Sequence, residues 1–387
     1  MLDVNAHLHT PYSFSAFSSI GEALDKAAEE GVKVVGINDF YSTDGYGEWK
    51  EGCARKGLFP LFGIEFIALN AEDQAAGLRV NDPNNPGRTY ISGKGLACPP
   101  ILSGEPLRQL EAVRAESNAQ VERMCAKLNE WLKAEGYGIV LDFKEIREKL
   151  TRGSIRERHL AKALRLALER CRCPVGAGHD VLPNQNKHNV LPDQDKHNVI
   201  SDQNKYNVIP DLIGDPATIE NTLRSKLLKA GGPAFVPEDP KAFLPTETVQ
   251  RIIEAAGGIP TYPFLADDAK GHFTDFEGDL QRAADTLKKR GFRSVEFITT
   301  RNTTAVLEQY AGYLEDEGFI VTFGSEHNTP AMEPIRLRTR DAAELSPKLK
   351  AVNWRGACAV AAHQAGKDSI AAGEDLISSV ISSEGEA

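Results

Sequence analysis

VKVVGI at residues 32–37 is a short apolar run that predicts a buried strand ending at Asp39. Apolar residues at helical spacing predict a helix before this strand, over residues 20–30, and another helix after it, near residues 46–56. The next apolar run, at residues 58–64, predicts a further strand. Strands and helices that alternate with short connections are typical of a parallel sheet or barrel.

The same alternation returns in the last third of the chain. Helices are predicted there at residues 246–256, 280–289 and 305–317, and strands at 259–263, 294–298 and 319–323. Between the two halves, residues 107–135 and 143–170 look helical and show no strand pattern. We therefore predict an α/β fold with a barrel formed by residues 1–105 and 230–340, a helical insertion at 106–229, and a C-terminal helical segment and tail at 341–387.

The insertion contains three copies of a nine-residue repeat at residues 182–208, rich in Asn, Asp and Gln. Each copy has few apolar side chains to bury, which favours an exposed loop. A small β-solenoid with the Val and Leu pairs as its ladder is the alternative. His188 and His197 occupy equivalent positions in the first two copies, but Tyr206 stands there in the third, which argues against a metal site.

The composition is that of an acidic globular protein, with 387 residues, 41% of them hydrophobic, and a formal net charge of -10. Binding to a nucleic acid polymer requires clustered Lys and Arg, so this balance argues against such a partner. No run approaches the roughly 20 apolar residues that span a bilayer, and no signal peptide is apparent. The six Cys form no Cys-X-X-Cys pair, which favours reduced thiols and a cytoplasmic location.

Acidic residues and histidines recur where the predicted strands end. His7 and His9 project from the same face of the first strand, because side chains alternate along a strand. Later strands carry similar groups at Asp39, Glu65, Glu296, Glu326 and His327. In a barrel of parallel strands the carboxyl ends face one mouth, where active sites are built, whereas turn propensity alone favours Asn, Ser and Gly. Imidazoles and carboxylates together predict a site for a divalent ion such as Zn, Mn or Fe.

Short motifs occupy these strand ends in a fixed order. They are HLHT at 7–10 with Ser13 nearby, IND at 37–39, GIE at 63–65, GGIPTYP at 257–263, VEF at 295–297 and GSEHN at 324–328. Their order and spacing over residues 1–70 and 235–335 resemble the polymerase and histidinol phosphatase (PHP) superfamily of metal-dependent phosphoesterases. The resemblance implies a distorted (β/α)7 TIM-like barrel with a helical insertion, and a metal-dependent hydrolysis.

The chain departs from the full ligand set of that superfamily. A trinuclear site of this kind has histidines where this chain has Phe40 and Tyr262, and a last histidine where it has Asn328. The remaining pattern implies one ion, with His7, His9, Glu65 and Glu326 as its ligands. Asp39 and His327 are adjacent in the pattern and are the predicted acid or base, although a ligand role or no role at all stays open for His327.

Phosphate monoesters are the usual substrates of the superfamily. Residues 153–164, which include Arg158 and His159, resemble a helix found in the inserted subdomain of nucleotidase-like members. With Lys270, which follows the GGIPTYP motif, they are the predicted substrate-binding residues. A solvated helix face for Arg158 and an ordinary polar loop for Lys270 are the alternatives.

The sequence therefore predicts a phosphoesterase that acts on a small phosphorylated metabolite or nucleotide through a metal-activated water. Two alternatives stay open. One is a catalytically degenerate barrel that binds a metabolite or partner, which the loss of histidines at positions 40 and 262 would fit. The other is a non-phosphate hydrolase or an isomerase on the same scaffold.

Overall fold

The computed structural model describes residues 1–172, 214–268 and 270–382, which form two compact units. The first unit comprises the described residues within Met1–Ala119, Thr151–Ile155 and Glu238–Ala387, and the second comprises those within Gln120–Leu150 and Arg156–Pro237. The nine-residue repeat at 182–208 lies outside the described residues. Within the described part of the chain, no helix is both long enough and apolar enough to cross a membrane.

One sheet organises the first unit. Its strands are β1 Asp3–Leu8, β2 Val32–Phe40, β3 Phe59–Leu69, β4 Arg88–Lys94, β5 Leu244–Pro245, β6 Ile259–Phe264, β7 Ser294–Ile298 and β8 Ile320–Gly324. Their order is β1-β2-β3-β4-β6-β7-β8, with β5 paired to β3. A parallel bridge between Leu8 and Glu326 brings the first strand beside the end of the last, so the sheet is a nearly closed barrel.

The barrel is distorted at β4. This strand is antiparallel to both of its neighbours, β3 and β6, whereas the other strands along the path pair in parallel. The path contains seven strands. The predicted α/β fold, a distorted seven-stranded TIM-like barrel, is confirmed.

The α-helices of the described residues connect and cover these strands. They are α1 Ile20–Glu29, α2 Tyr46–Arg55, α3 Ala71–Ala75, α4 Gly104–Ala134, α5 Phe143–Leu150, α6 Glu157–Arg172, α7 Pro216–Leu223, α8 Thr246–Ala255, α9 Leu280–Lys289, α10 Thr304–Asp316, α11 Pro347–Gln364 and α12 Ile370–Ser382. Helix α1 shows why they form where they do. The Ser19 hydroxyl accepts a hydrogen bond from the Glu22 backbone N–H, and Ile20, Leu24 and Ala27 bury one face.

Side chains alternate between the two faces of the strands, so that apolar residues lie on one face and polar residues on the other. In β1, Val4 and Ala6 pack in an apolar cluster with residues of α11 and α12, whereas Asn5 and His7 alternate with them and lie on the opposite face. In β7, Val295 and Phe297 belong to the main apolar core. Their neighbours on the other face are polar, so the polar groups of several strands meet inside the barrel.

Two glycines let the neighbouring strands approach β1 closely. A Cβ at Gly36 would lie 2.3 Å from the backbone oxygen of Ala6, and a Cβ at Gly324 would lie 2.2 Å from Cβ of His7. Side chains at these positions would therefore push β2 and β8 away from β1. The close approach fixes where His7 lies in the barrel.

The stretch at 143–170 that looks helical in the sequence contains two helices, α5 and α6, with a short non-helical segment between them. The residues between them are hydrogen-bonded within the first unit instead of continuing a helix. The backbone N–H of Arg152 donates to Pro11 O (3.0 Å), that of Ser154 donates to Tyr12 O (2.9 Å), and the Ser154 hydroxyl donates to Phe40 O (3.0 Å). Tertiary hydrogen bonds therefore outweigh helix propensity here.

The second unit is helical, and one nearly buried ion pair and one partly exposed group of ion pairs link its helices. Arg165 donates from Nε to Glu220 Oε1 (2.8 Å), which joins α6 to α7. The carboxylate of Glu157 accepts from Arg224 Nη2 (2.7 Å) and lies 3.1 Å from Lys229 Nζ. These pairs tie the beginning of α6 to the residues that follow α7.

Candidate metal centre

Three side chains converge at the carboxyl end of β1. His7 and His9 face Glu65, which comes from β3. His9 Nε2 lies 3.1 Å from Glu65 Oε2, His7 Nε2 lies 3.8 Å from the same oxygen, and the two Nε2 atoms are 3.3 Å apart. All three residues are at most 3% exposed. We call these three residues the central cluster.

The outer hydrogen bonds of both histidines determine which ring nitrogens carry hydrogen. His7 Nδ1 lies 3.0 Å from a carboxylate oxygen of Glu296, so this nitrogen is the donor. The Ser13 hydroxyl donates to Asp39 Oδ1 (2.5 Å), so it accepts from His9 Nδ1 at 3.2 Å. In each neutral ring the Nε2 atom therefore presents a lone pair to the cluster.

The central cluster thus brings together three acceptors, of which His7 Nε2 also lies 3.2 Å from the amide nitrogen of Asn38, a donor. Glu65 Oε2 is buried and, among the described residues, has no hydrogen-bond partner. Buried acceptors that face one another are unfavourable unless a cation lies between them. Burial lowers the pKa of His9, but the negative charges of the neighbouring carboxylates Glu65, Asp39 and Glu326 oppose burial, and the net pKa is raised. Either a bound metal ion or a proton on His9 satisfies this arrangement, and the donor set fits a divalent metal.

His7 is oriented by a buried ion pair that the sequence analysis did not predict. The Glu296 carboxylate accepts from His7 and from the Ser92 hydroxyl, and it lies 2.7 Å from Lys94 Nζ. Burial alone would raise the pKa of Glu296, but the charges of Lys94 and His7 outweigh burial and hold it well below its ordinary value. The carboxylate is therefore ionised and keeps the hydrogen of His7 on Nδ1.

The ammonium of Lys94 has a hydrogen-bond acceptor for each of its three N–H groups inside the barrel. Besides Glu296, its Nζ donates to Ala6 O (3.0 Å) and to Asn38 Oδ1 (3.2 Å), and the residue is 2% exposed. Three donors thus meet three acceptors. Lys94 lies at the end of β4, a strand that the sequence pattern did not reveal.

Asp39 lies at the end of β2, beside His9. Its carboxylate accepts from the Thr10 backbone N–H (2.7 Å), the Thr10 hydroxyl and the Ser13 hydroxyl. Oδ1 is 3.9 Å from His9 Nδ1. Burial raises the pKa of Asp39, although the charge of His9 and the hydrogen bonds oppose that effect.

Glu326 and His327, which follow β8, point in different directions. Both have positive φ angles, 62° and 57°, in the left-handed region. The backbone of Glu326 bonds to both histidines of the cluster, because its N–H donates to His7 O (3.0 Å) and its O accepts from His9 N (2.7 Å). Its carboxylate accepts from Arg301 Nη2 at 2.7 Å.

Both ring nitrogens of His327 are occupied. Nε2 donates to Glu333 O (2.8 Å), and Nδ1 lies 2.8 Å from the Ser325 hydroxyl, which also accepts from Asn5 Nδ2 (2.6 Å). The ring stacks on Phe17 at 4.9 Å. Burial lowers the pKa of His327. These contacts hold the loop after β8.

The two positions where the resembled superfamily has histidine carry aromatic side chains with other partners. Phe40 stacks on the ring of His9, with the centroids 5.1 Å apart and the planes 15° from parallel. Tyr262 is fully buried, and its hydroxyl donates to Glu277 Oε1 (2.7 Å). Neither residue supplies a metal ligand.

Glu277 makes folding stability depend on pH. Burial raises its pKa to about 8, although Tyr262 and the backbone N–H groups of Leu265 and Ala266 donate to it. The ordinary value is 4.5. Between these two pH values the folded protein binds a proton that the unfolded chain does not, so this group lowers the free energy of unfolding as pH rises towards 8.

We therefore expect Glu277→Gln to reduce the loss of stability between pH 5 and pH 8. Urea unfolding midpoints of the wild type and the variant at pH 5, 6.5 and 8 measure the effect. Glu254→Gln, at an exposed carboxylate of α8, is the control and should keep the wild-type slope. A slope for Glu277→Gln equal to that of the wild type would contradict the prediction.

The residues predicted to bind substrate are divided between the two units. Arg158 and His159 belong to the second unit, where Arg158 Nη1 donates to Asn221 Oδ1 (3.1 Å). His159 is buried, its Nδ1 accepts from the Arg156 N–H (2.9 Å), and burial lowers its pKa to about 3. Lys270 belongs to the first unit and is exposed.

Parts of this chain are similar to known proteins in sequence or in fold. The PHP domain family model matches residues 5–160. A candidate metal-dependent phosphoesterase from Bifidobacterium adolescentis shares 15% identity and superposes with a TM-score of 0.58, over 90% of this chain and 94% of that chain. An amidohydrolase from Chromobacterium violaceum, with bound sulfate and no metal, shares 16% identity and superposes with a TM-score of 0.56, over 90% of this chain and 96% of that chain. The sequence has no significant match among curated proteins. At these identities the two structures share their fold with this chain.

Proposed function

We propose that the protein is a metal-dependent phosphoesterase acting on a small phosphorylated molecule, because residues 5–160 match the PHP domain family model. The domain and its structural neighbours support a metal-dependent hydrolase. The observation that carries the proposal is the meeting of three buried acceptors in the central cluster, where Glu65 Oε2 has no hydrogen-bond donor within the described chain.

The proposed ligands of the ion are His7 and His9 through Nε2, Glu65 through Oε2, and Glu326. Two nitrogen donors with carboxylate oxygens suit Zn, Mn or Fe. We propose one ion, because Phe40 has no ligand atom and the Tyr262 hydroxyl is engaged by Glu277. When bound, a divalent ion acidifies a water molecule and polarises the bond that this water attacks.

Asp39 is the better supported of the two proposed acid–base groups. Its carboxylate lies beside His9, and burial favours its protonated form. A buried carboxylate with a raised pKa can accept a proton from the attacking water and return it to the leaving group. His327 has both ring nitrogens engaged by neighbouring groups, which favours a role in holding the loop.

The burial of the central cluster bears on the kind of substrate. The central cluster is almost wholly buried inside the barrel. This burial favours a small substrate that enters the barrel and disfavours a polymer that lies across the surface. Arg158 and His159 from the second unit, and Lys270 from the first, are the proposed substrate-binding side chains. An acidic net charge of -10 adds no support for a nucleic acid partner.

The test combines metal analysis with a substrate panel. Chelator-treated protein is reconstituted separately with Zn, Mn and Fe, and metal content and phosphate release from phosphate monoesters are measured. We expect about one equivalent of metal and phosphate release that disappears with the chelator. Metal binding without phosphate release, but with hydrolysis of other esters or lactones, would favour a different hydrolase. Absence of metal binding after reconstitution would favour a barrel that binds without turnover.

A further inference from the structure

Arg301 is a cation near the central cluster for which the proposed reaction has so far given no role. It ends the short turn Thr299–Arg301 that follows β7, and its side chain is 42% exposed. The residues of the central cluster are at most 3% exposed. A ligand arriving from solvent can therefore reach this guanidinium, which lies closer to the surface than the cluster.

Contacts on both sides hold Arg301 in place. Its Nη2 donates to Glu326 Oε2 at 2.7 Å, and the backbone of Glu326 is bonded to both His7 and His9. The backbone oxygen of Arg301 accepts from Arg340 Nη1 at 2.7 Å. The guanidinium is thus fixed relative to the central cluster before any ligand arrives.

The guanidinium also keeps donors available for a ligand. It has five N–H groups arranged as a planar fork, and the hydrogen bond of its side chain within the described residues goes to Glu326. Such a fork matches two oxygens of a phosphate or another tetrahedral oxyanion. A phosphate monoester carries up to two negative charges near neutral pH, since its second pKa is about 6. A site with one divalent ion and one unpaired carboxylate leaves part of that charge unbalanced, and a protein cation can balance it.

We infer that Arg301 binds the anionic group of the substrate, a phosphate or similar oxyanion, beside the central cluster. This inference rests on the proposed function and deepens it. Arg301 supplies positive charge beside the central cluster, because its guanidinium is bonded to Glu326, whose backbone bonds to His7 and His9. It is a substrate-binding residue, and its loss should act on affinity more than on the metal.

Titration calorimetry with inorganic phosphate tests the inference in both metal-loaded and chelator-treated protein. We expect Arg301→Gln to weaken phosphate binding about 10- to 100-fold, the size of a lost charge-assisted hydrogen-bond pair. Arg301→Lys, which keeps the charge but not the fork, should lie in between. Arg293→Gln is the matched control, because Arg293 is exposed and precedes the opposite end of β7. Metal content should be the same in all these proteins.

A double variant separates direct binding from an indirect effect through Glu326. If Arg301 only neutralises this carboxylate, Arg301→Gln/Glu326→Gln should recover phosphate affinity, and that result would overturn the inference. Persistent weak binding in the double variant, compared with the other proteins after chelator treatment because Glu326 is a proposed ligand of the ion, supports it. Equal affinity of Arg301→Gln and the wild type, or no phosphate binding by the wild type, would also overturn it. Failure of the proposed function shows separately, as a lack of metal-dependent phosphate release by the wild type.

Discussion

His9→Ala is expected to abolish metal binding and, with it, hydrolysis. His9 supplies the nitrogen closest to Glu65 Oε2, at 3.1 Å, and its other nitrogen is fixed by Ser13. Loss of a mere outer partner of a metal ligand costs roughly 10- to 100-fold in affinity, so loss of the ligand itself should cost more. Metal content by elemental analysis and phosphate release by the reconstituted variant are the measurements.

Thermal unfolding distinguishes a lost site from a lost fold. An ion that binds only the folded protein raises its Tm, so added metal should stabilise the wild type and leave His9→Ala unchanged. His363→Ala, at an exposed histidine of α11 that bonds to Gly257 O (2.9 Å), is the control and should respond like the wild type. A metal-dependent rise in Tm for His9→Ala would show that the ion binds elsewhere.

Lys94→Met is expected to lower the free energy of unfolding by about 3–5 kcal/mol, the cost of leaving a buried charge without its partner. The variant removes the ammonium that lies 2.7 Å from Glu296 Oε2, while the carboxylate stays fully buried. Replacing both charges is less costly than removing one, so Lys94→Met/Glu296→Gln should recover much of the loss. Urea unfolding of both variants and of Glu296→Gln completes a double-mutant cycle.

A surface ion pair provides the control for that experiment. Lys288 Nζ lies 2.6 Å from Glu317 Oε2, but the two side chains are 42% and 37% exposed. Exposed pairs contribute about 0–1 kcal/mol because water and salt screen them. If Lys94→Met proved as mild as Lys288→Met, the buried pair would not stabilise the barrel as proposed.

The parallel strands were predictable because their apolar runs are short, buried and bounded by helices with clear amphipathic spacing. The predicted strand at 294–298 coincides with β7, and the predicted helix at 280–289 coincides with α9. Boundaries moved where polar residues continue a strand, as in β2, which extends to Phe40. A pattern of hydrophobicity does not register residues that pair by backbone hydrogen bonds alone.

Strand β4 was missed because its sequence, RTYISGK, contains too few apolar residues to resemble a buried strand. It is nevertheless buried over most of its length, because its polar residues Ser92 and Lys94 face partners inside the barrel. One feature of the sequence indicated a missing partner. Glu296 is an acidic residue within an apolar strand, and a buried carboxylate needs a cation nearby. Sequence alone does not say which cation, since the partner lies on a distant strand.

The roles assigned to the candidate site residues stay predictions until the experiments above are done. What the sequence identified was residue type at strand ends, and the structure brings His7, His9 and Glu65 together. The pairing of Glu326 with Arg301 could not be read from the chain, because it depends on where two loops lie. The same holds for the hydrogen bonds that occupy His327.

The barrel is closed by contacts between the beginning and a late part of the described chain, and these segments are synthesised at different times. The residues of the central cluster lie within the first 65 positions of the chain. The carboxylate that orients His7 belongs to Glu296, which follows His7 by 289 positions. The bridge between Leu8 and Glu326 spans a similar separation. Contacts between such distant residues form only after a large loop closes. A nascent chain therefore exposes its metal-facing side chains long before it can orient them, and ion capture in the native geometry waits until Glu296 and Glu326 have been synthesised.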